Sequence, residues 1–542
     1  MAMTGRGRRS VAGLVLAGLA AVVLAACGSG GGSHVNAPAT ISSVGVSSTD
    51  WAYVGHDRNN DRYAPETQIN TSNVSKLQQV WSSGLGPEQY LEENFPLEVG
   101  NTVYVTTSND EVQALNAVTG ALIWKYLPTV DFSLSTGVGG FGISVNRGVA
   151  VSNGMVYVVT FDGKLDAIQQ ATGEQLWSTQ VVSPSTGAYE TTGPTVWNNL
   201  VFVGDSGSQD GVRGFVAAFN ANTGKQVWRF YTVPKAGTSW VPKDGGGGTV
   251  FFAPTVDTAT GVVYVGTGSP APTIVGTQRP GPDLYTDSIL ALNARTGKLI
   301  WYHQEIPHDL WNYDAESPVV IFTANVHGKT VPAVGEAGKS GYYFILNAQT
   351  GKDLFPRLAF VKENHTPPTT RGTLECPGAV GGSQYAPVSY NPQAQAAYVS
   401  GINLCMILTV GPTLGGEKAF GGDRSQPSNE VPTGTFSAVN LTTGKFLWTR
   451  NMPTPMTGGS TTTAGGLVLT GDQHGNFYAF DAETGKILWE HNLGLAFGSA
   501  PIVYQINGRE YILAAIGGGA LTAAEHLGPI GARIVAYALP KT

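Results

Sequence analysis

Apolar and polar residues alternate in short runs along most of this chain. Seven runs end alike, in a short polar residue, a Thr-Gly pair and an aromatic residue four positions after the glycine. The copies run from Asn116 through Thr119-Gly120 to Trp124, from Gln169 through Thr172-Gly173 to Trp177, and from Asn220 through Thr223-Gly224 to Trp228. Four more run from Asn293 through Gly297 to Trp301, from Asn347 through Gly351 to Phe355, from Asn440 through Gly444 to Trp448, and from Asp481 through Gly485 to Trp489. The polar side chain bonds to its own backbone and opens a turn, glycine takes a positive φ without a Cβ clash, and the alternating strand resumes. Each copy therefore predicts a β-hairpin.

A lone hairpin cannot bury both its faces, so the units must stack, and four-stranded blades around an axis suit short strands with Gly-rich turns. The uneven spacing, widest between the fifth and sixth copies, fits a propeller better than a solenoid because extra residues go into face loops. An eighth unit is split between the chain ends. Val535-Ala536-Tyr537-Ala538-Leu539 repeats the strand before the turn, and Leu77-Gln78-Gln79-Val80-Trp81 repeats the strand after it. Pairing them closes the ring and removes an exposed edge. The expectation is an all-β, eight-bladed propeller over residues 49–542, its four-stranded antiparallel blades closed by N- and C-terminal strands that share one blade.

Composition narrows the class further. Charged residues make up 13% of the chain, Gly reaches 72 and the net charge is −7. That balance suits a β-rich domain and argues against nucleic acid as a partner. Arg6, Arg8 and Arg9 precede an apolar run from Val11 to Ala26 that ends at Cys27. The run is shorter than the roughly 20 residues a spanning helix needs. Residues 1–26 thus read as a lipoprotein signal peptide, with an uncleaved membrane anchor as the alternative; Cys27 is the lipidation site and residues 27–48 are a Gly/Ser-rich tether. Either reading exports the domain and holds it at the outer face of the cell membrane or in the periplasm. Arg8-Arg9 leaves the twin-arginine route open. Cys376 and Cys405 then remain, as a disulfide favoured by an oxidising compartment or as two separate buried thiols. No Cys-x-x-Cys-His occurs, so no c-type haem attachment is expected.

Longer phrases carry a resemblance. Asp50-Trp51 through Arg62-Tyr63, Asn146-Arg147-Gly148, Gly211-Val212-Arg213-Gly214, Gly246-Gly247-Gly248-Thr249, Gly266-Thr267-Gly268, Pro307-His308-Asp309 and Gly471-Asp472-Gln473 are similar to segments of the quinoprotein alcohol dehydrogenases. These are eight-bladed propellers that carry pyrroloquinoline quinone on their axis. The resemblance covers nearly all of the chain after the tether and places a disulfide at Cys376 and Cys405. It implies that Glu93, Arg147, Thr192, Ser206 and Lys339 contact the quinone and that Phe251 stands where the family stacks a tryptophan. Thr192 comes from a Thr-Gly-Pro segment one residue shorter than the family pattern. A tricarboxylated ortho-quinone is an anion, which Arg147 and Lys339 can neutralise.

The sequence also departs from the family. Gln209 and Ser269 stand where the resemblance implies a metal-binding glutamate and asparagine, and Asn312 stands where it implies the catalytic aspartate. An amide cannot accept an alcohol's proton, and lost carboxylates weaken the hold on a calcium or lanthanide ion. Phe141-Gly142 replaces a pair of adjacent cysteines. Asp314 is the surviving carboxylate, matched to an extra aspartate in lanthanide-using members; it is a candidate catalytic base and metal ligand or, alternatively, a turn-former, with Glu316 and Asp309 in reserve.

Two functions follow. One is an exported, membrane-tethered oxidoreductase that oxidises an alcohol or polyol with bound pyrroloquinoline quinone and passes electrons to a separate cytochrome or quinone acceptor. The other is a non-catalytic propeller that serves as a ligand-binding or protein-assembly platform.

Overall fold

A computed structural model describes residues 49–541 apart from 58, 88–90, 135–143, 244, 316, 412–423 and 525–527. Cys27, the leader and the tether lie outside the described residues, as do Phe141-Gly142 and Glu316.

The seven hairpins form as their spacing predicts. In the first, Asn116 Oδ1 accepts hydrogen bonds from Val118 N, Thr119 N and Thr119 Oγ1, each at 3.0 Å. The flanking strands Val112–Asn116 and Leu122–Tyr126 pair antiparallel. Two shorter strands, Leu97–Val99 and Thr102–Thr106, complete a four-stranded blade. Six more blades of the same order occupy 150–180, 195–231, 255–304, 320–359, 389–452 and 461–492. The eighth joins Ile502–Ile506, Arg509–Ile516 and Arg533–Ala538 to Gln78–Gly84, with Gln78 opposite Ala538 and Gly84 opposite Arg533. The ring is an eight-bladed propeller closed by its two ends.

The aromatics of six of the seven repeats have a task that the pattern alone did not show: each seats on the turn glycine of the following blade. Trp124 lies under Gly173, where an added Cβ would come within 2.7 Å of the indole, and Trp177 lies under Gly224 in the same way. Trp228, Trp301 and Trp448 meet Gly297, Gly351 and Gly485, and Phe355 meets Gly444. The indole N–H groups of Trp124, Trp228 and Trp301 each donate across the blade boundary to a backbone carbonyl at 2.9 Å. Glycine is needed here both for its positive φ and for the absence of a side chain.

The segment before the first blade is not a loose lead. Tyr63–Ala64 adds a parallel strand to blade seven, and backbone bonds tie Asp61 to Tyr390, Asn59 to Ile321 and Trp51 to Glu98. Arg62 is wholly buried and donates to the carbonyls of Ser460 and Pro501 at 2.9 and 2.8 Å. Farther along, the buried disulfide Cys376–Cys405 spans 29 residues of sequence and ties the segment ahead of blade six to the loop after its second strand, with its Cα atoms 4.4 Å apart. A bridge over such a loop stabilises by about 3 to 4 kcal/mol on the chain-entropy account. Among the described residues no helix is long and apolar enough to cross a membrane.

Candidate active site

Repetition of blade order brings equivalent loops to the same end of the axis: those that enter the first strand and those that leave the second. Glu93, Arg147, Thr191, Phe251 and Asp314 precede the first strands of blades one to five, while Ser206, Ser269 and Lys339 follow the second strands of blades three to five.

Two polar clusters result. In the first, Arg147 Nη2 pairs with Glu93 Oε2 at 2.6 Å, both side chains being buried. Arg147 Nη1 donates to Thr191 Oγ1 and to the Phe251 carbonyl, and Thr191 Oγ1 is 2.8 Å from Ser206 Oγ. Glu93 Oε1 in turn accepts from Ala520 N at 2.7 Å. The guanidinium also lies 5.2 Å from the Phe251 ring and 5.1 Å from the Tyr385 ring. In the second cluster, Lys339 Nζ bonds Asp314 Oδ2 at 2.7 Å, Ser269 N donates to Asp314 Oδ1 at 2.6 Å, and Ser269 Oγ donates to Asn312 Oδ1 at 2.7 Å. Gly268 packs against the second: a Cβ there would stand 3.2 Å from Asp314 Oδ1 and 2.9 Å from Ser208 Oγ.

Most of the residues singled out from sequence therefore meet at one end of the ring. Thr192 turns instead to the Val250 carbonyl at 3.0 Å, and its neighbour Thr191 faces Arg147 and Ser206. The shortened Thr-Gly-Pro spacing was the only signal for this one-residue offset. Tyr385, against Glu93 and Arg147, left no sequence signal; burial and the Glu93 charge push its phenol well above the usual range. Asp309 is committed to its own loop, accepting from Trp311 N, Asn312 N and Tyr313 N, and burial raises it to about 6. His308 bonds the Gly281 carbonyl, and His474 is exposed in a turn.

The donor set can be weighed against the two groups the resemblance implies. A flat polycarboxylate fits. Arg147 and Lys339 supply cations, Thr191 and Ser206 supply hydroxyls, Phe251 offers an apolar ring, and Arg147 Nε is buried with no partner of its own. A hard metal ion does not fit. Gln209 lies half-buried in the turn Ser208–Asp210, Ser269 and Asn312 are neutral and bond each other, and both oxygens of Asp314 are already engaged, one by an ammonium. Hard cations select several free carboxylate or carbonyl oxygens. Among the described residues no group of three acidic, His or Cys side chains is placed to hold a metal.

Known proteins share this propeller. Residues 51–359 and 357–512 match the β-propeller domain of glucose, ethanol and alcohol dehydrogenases. The quinohemoprotein alcohol dehydrogenase of Comamonas testosteroni is 32% identical, over 89% of this chain and 75% of its own. The crystal structure of that dehydrogenase superposes with a TM-score of 0.83, covering 91% of this chain and 82% of the other at 29% identity. A europium-containing methanol dehydrogenase superposes with a TM-score of 0.82 at 26% identity, covering 91% and 98%. Joined to the ring count and the Arg147 and Lys339 clusters, these matches place the chain in the quinoprotein alcohol dehydrogenase family.

Proposed function

We propose that this chain is an exported, lipid-anchored oxidoreductase that oxidises an alcohol or polyol with pyrroloquinoline quinone and passes electrons to a separate cytochrome or quinone. The observation that carries this reading is that the Arg147–Thr191–Ser206 cluster and the Lys339–Asp314 pair sit on loops at the same end of the axis. The anchor rests on Cys27 behind its apolar run.

Pyrroloquinoline quinone, when bound, supplies a two-electron acceptor. Arg147, Thr191 and Ser206 would hold its oxygens, and Phe251 would offer an apolar ring beside it. Lys339 both neutralises charge and fixes Asp314. Asp314 takes the hydroxyl proton of the substrate, the role Asn312 cannot perform, and Asn312 and Ser269 orient it. The buried setting strengthens each of these polar contacts.

Purified protein mixed with pyrroloquinoline quinone tests the reading. Tight uptake, followed by alcohol-dependent reduction of a dye, is expected without added metal; absence of both, with calcium and with a lanthanide as well, would discard it. The neutral Asn312 favours a second reading, a platform that keeps the scaffold without the chemistry. On that reading, replacing Arg147 and Lys339 by Ala leaves partner binding intact.

A further inference from the structure

Between blades four and five lies a group of buried acids that the proposed chemistry has not used. Glu305 follows the strand Leu299–Gln304, Glu336 lies in Lys329–Ala337, and both are buried. Their carboxyl groups are within hydrogen-bonding reach of each other. Two carboxylates have no hydrogen to share, so that contact requires a proton between them. Apart from it, neither oxygen of Glu305 nor Oε2 of Glu336 has a donor; Glu336 Oε1 accepts from Ser317 N at 3.1 Å.

Two further buried groups point the same way. Ser340 Oγ and Tyr343 Oη have no partners, and each lies beside the acids. A Cβ on Gly338 would meet both Glu305 Oε2 and Ser340 Oγ, and one on Gly335 would meet Tyr343 Oη. Burial raises both glutamates, and for Glu305 the charges of Glu336 and Asp287 add to it while Arg357 opposes it. Asp287 is likewise raised by burial and by Asp309 and Asp314, against Arg279.

The pair stands between the axial cluster and solvent. On the inner side, Glu305 Oε2 abuts Gly338, next to Lys339, whose ammonium holds Asp314. Glu305 N also bonds the Asp287 carbonyl at 2.8 Å, and Asp287 N bonds Gly268, which touches Asp314. On the outer side, Glu305 lines an open cleft of about 510 Å³ together with His303, Phe344, Asp353 and Arg357.

From this placement we infer that Glu305 and Glu336 hold one proton in common and form the exit by which protons pass from the axial site to the cleft between blades four and five. The inference rests on the proposed oxidation. Turning an alcohol carbon into a carbonyl releases two electrons and two protons; a cytochrome acceptor takes the electrons one at a time and no protons, so the two protons must cross a buried wall to reach water. Glu305 and Glu336 are positioning and relay groups, and neither touches the substrate.

Two measurements test it. Infrared titration of the protein without quinone is expected to show a protonated carboxyl band persisting at neutral pH, lost in both Glu305→Gln and Glu336→Gln; a band unchanged in both overturns the shared proton. With quinone bound, Glu305→Gln is expected to lower turnover about tenfold or more. Its solvent isotope effect should rise and its pH profile flatten, while quinone uptake and thermal midpoint stay near wild type. Unchanged turnover and pH profile overturn the exit. Failure of the wild-type chain to take up quinone would instead overturn the proposed alcohol oxidation, and the exit with it, while the infrared band still decides whether the pair shares a proton.

Discussion

The rim and the hub of this ring are built on opposite rules. At the rim, one device recurs blade after blade, an aromatic under the next blade's turn glycine, joined in several blades by an indole bond. At the hub, each polar contact occurs once, between loops of different blades, as in the Arg147–Glu93 and Lys339–Asp314 pairs. Redundancy lets the rim absorb a local loss; the hub has no second copy of anything. Stability errors and functional errors should therefore fall in different places.

The largest effect is expected at the hub. Arg147→Ala leaves Glu93 buried and unpaired, a cost of about 3 to 5 kcal/mol in denaturant unfolding, together with loss of quinone uptake. A change below about 1 kcal/mol would show that the hub tolerates loss as the rim does. At the rim, Gly224→Ala forces a Cβ against Trp177 at positive φ and should cost about 2 kcal/mol with quinone uptake kept. Loss of uptake in that variant would erase the distinction.

Acidity probes the interior as a whole. Burial lifts Glu336 and Glu510 to about 7 and Glu98 to about 8. These folded values exceed the unfolded ones, so the native state holds more protons between the ordinary carboxylate range and those values. Their stabilising contribution is complete below the unfolded pKa and is lost as pH rises through 7 to 8. Each group contributes up to about 1.4 kcal/mol per pH unit across its window. The thermal midpoint should fall from mildly acid to mildly alkaline buffer, less steeply in Glu336→Gln; a midpoint that rises would mean these acids are ionised in the fold. The smallest effect belongs to Trp228→Phe, which keeps the ring on Gly297 but removes the bond to the Ala294 carbonyl, about 1 kcal/mol in unfolding.

The same division governs what the sequence could reveal. Hairpins repeat, and a repeat is visible from Asn116-x-x-Thr119-Gly120 alone, so blade count and ring closure followed from the chain. The three-residue inner strands, such as Leu97–Val99, are too short for alternation to register. Family phrases rather than periodicity point to Arg147 and Lys339, and a loop one residue shorter than the family pattern hides that Thr191, not Thr192, turns its hydroxyl toward Arg147 and Ser206. Glu305 and Glu336 gave no sign: in sequence Gln304-Glu305 reads as the wet end of an edge strand, and only the packing of blade five against blade four buries it. The roles given to Cys27, Phe141-Gly142 and Glu316 fall outside the described residues.

The shared eighth blade also sets an order of events during synthesis. Ser82 bonds the Ile534 carbonyl across 452 residues of chain, so a nascent polypeptide must carry the strand Gln78–Gly84 unmated until Arg533–Ala538 has been made. Until then the emerging protein keeps a bare hydrogen-bonding edge, open to holding by a chaperone or to capture by a second nascent chain.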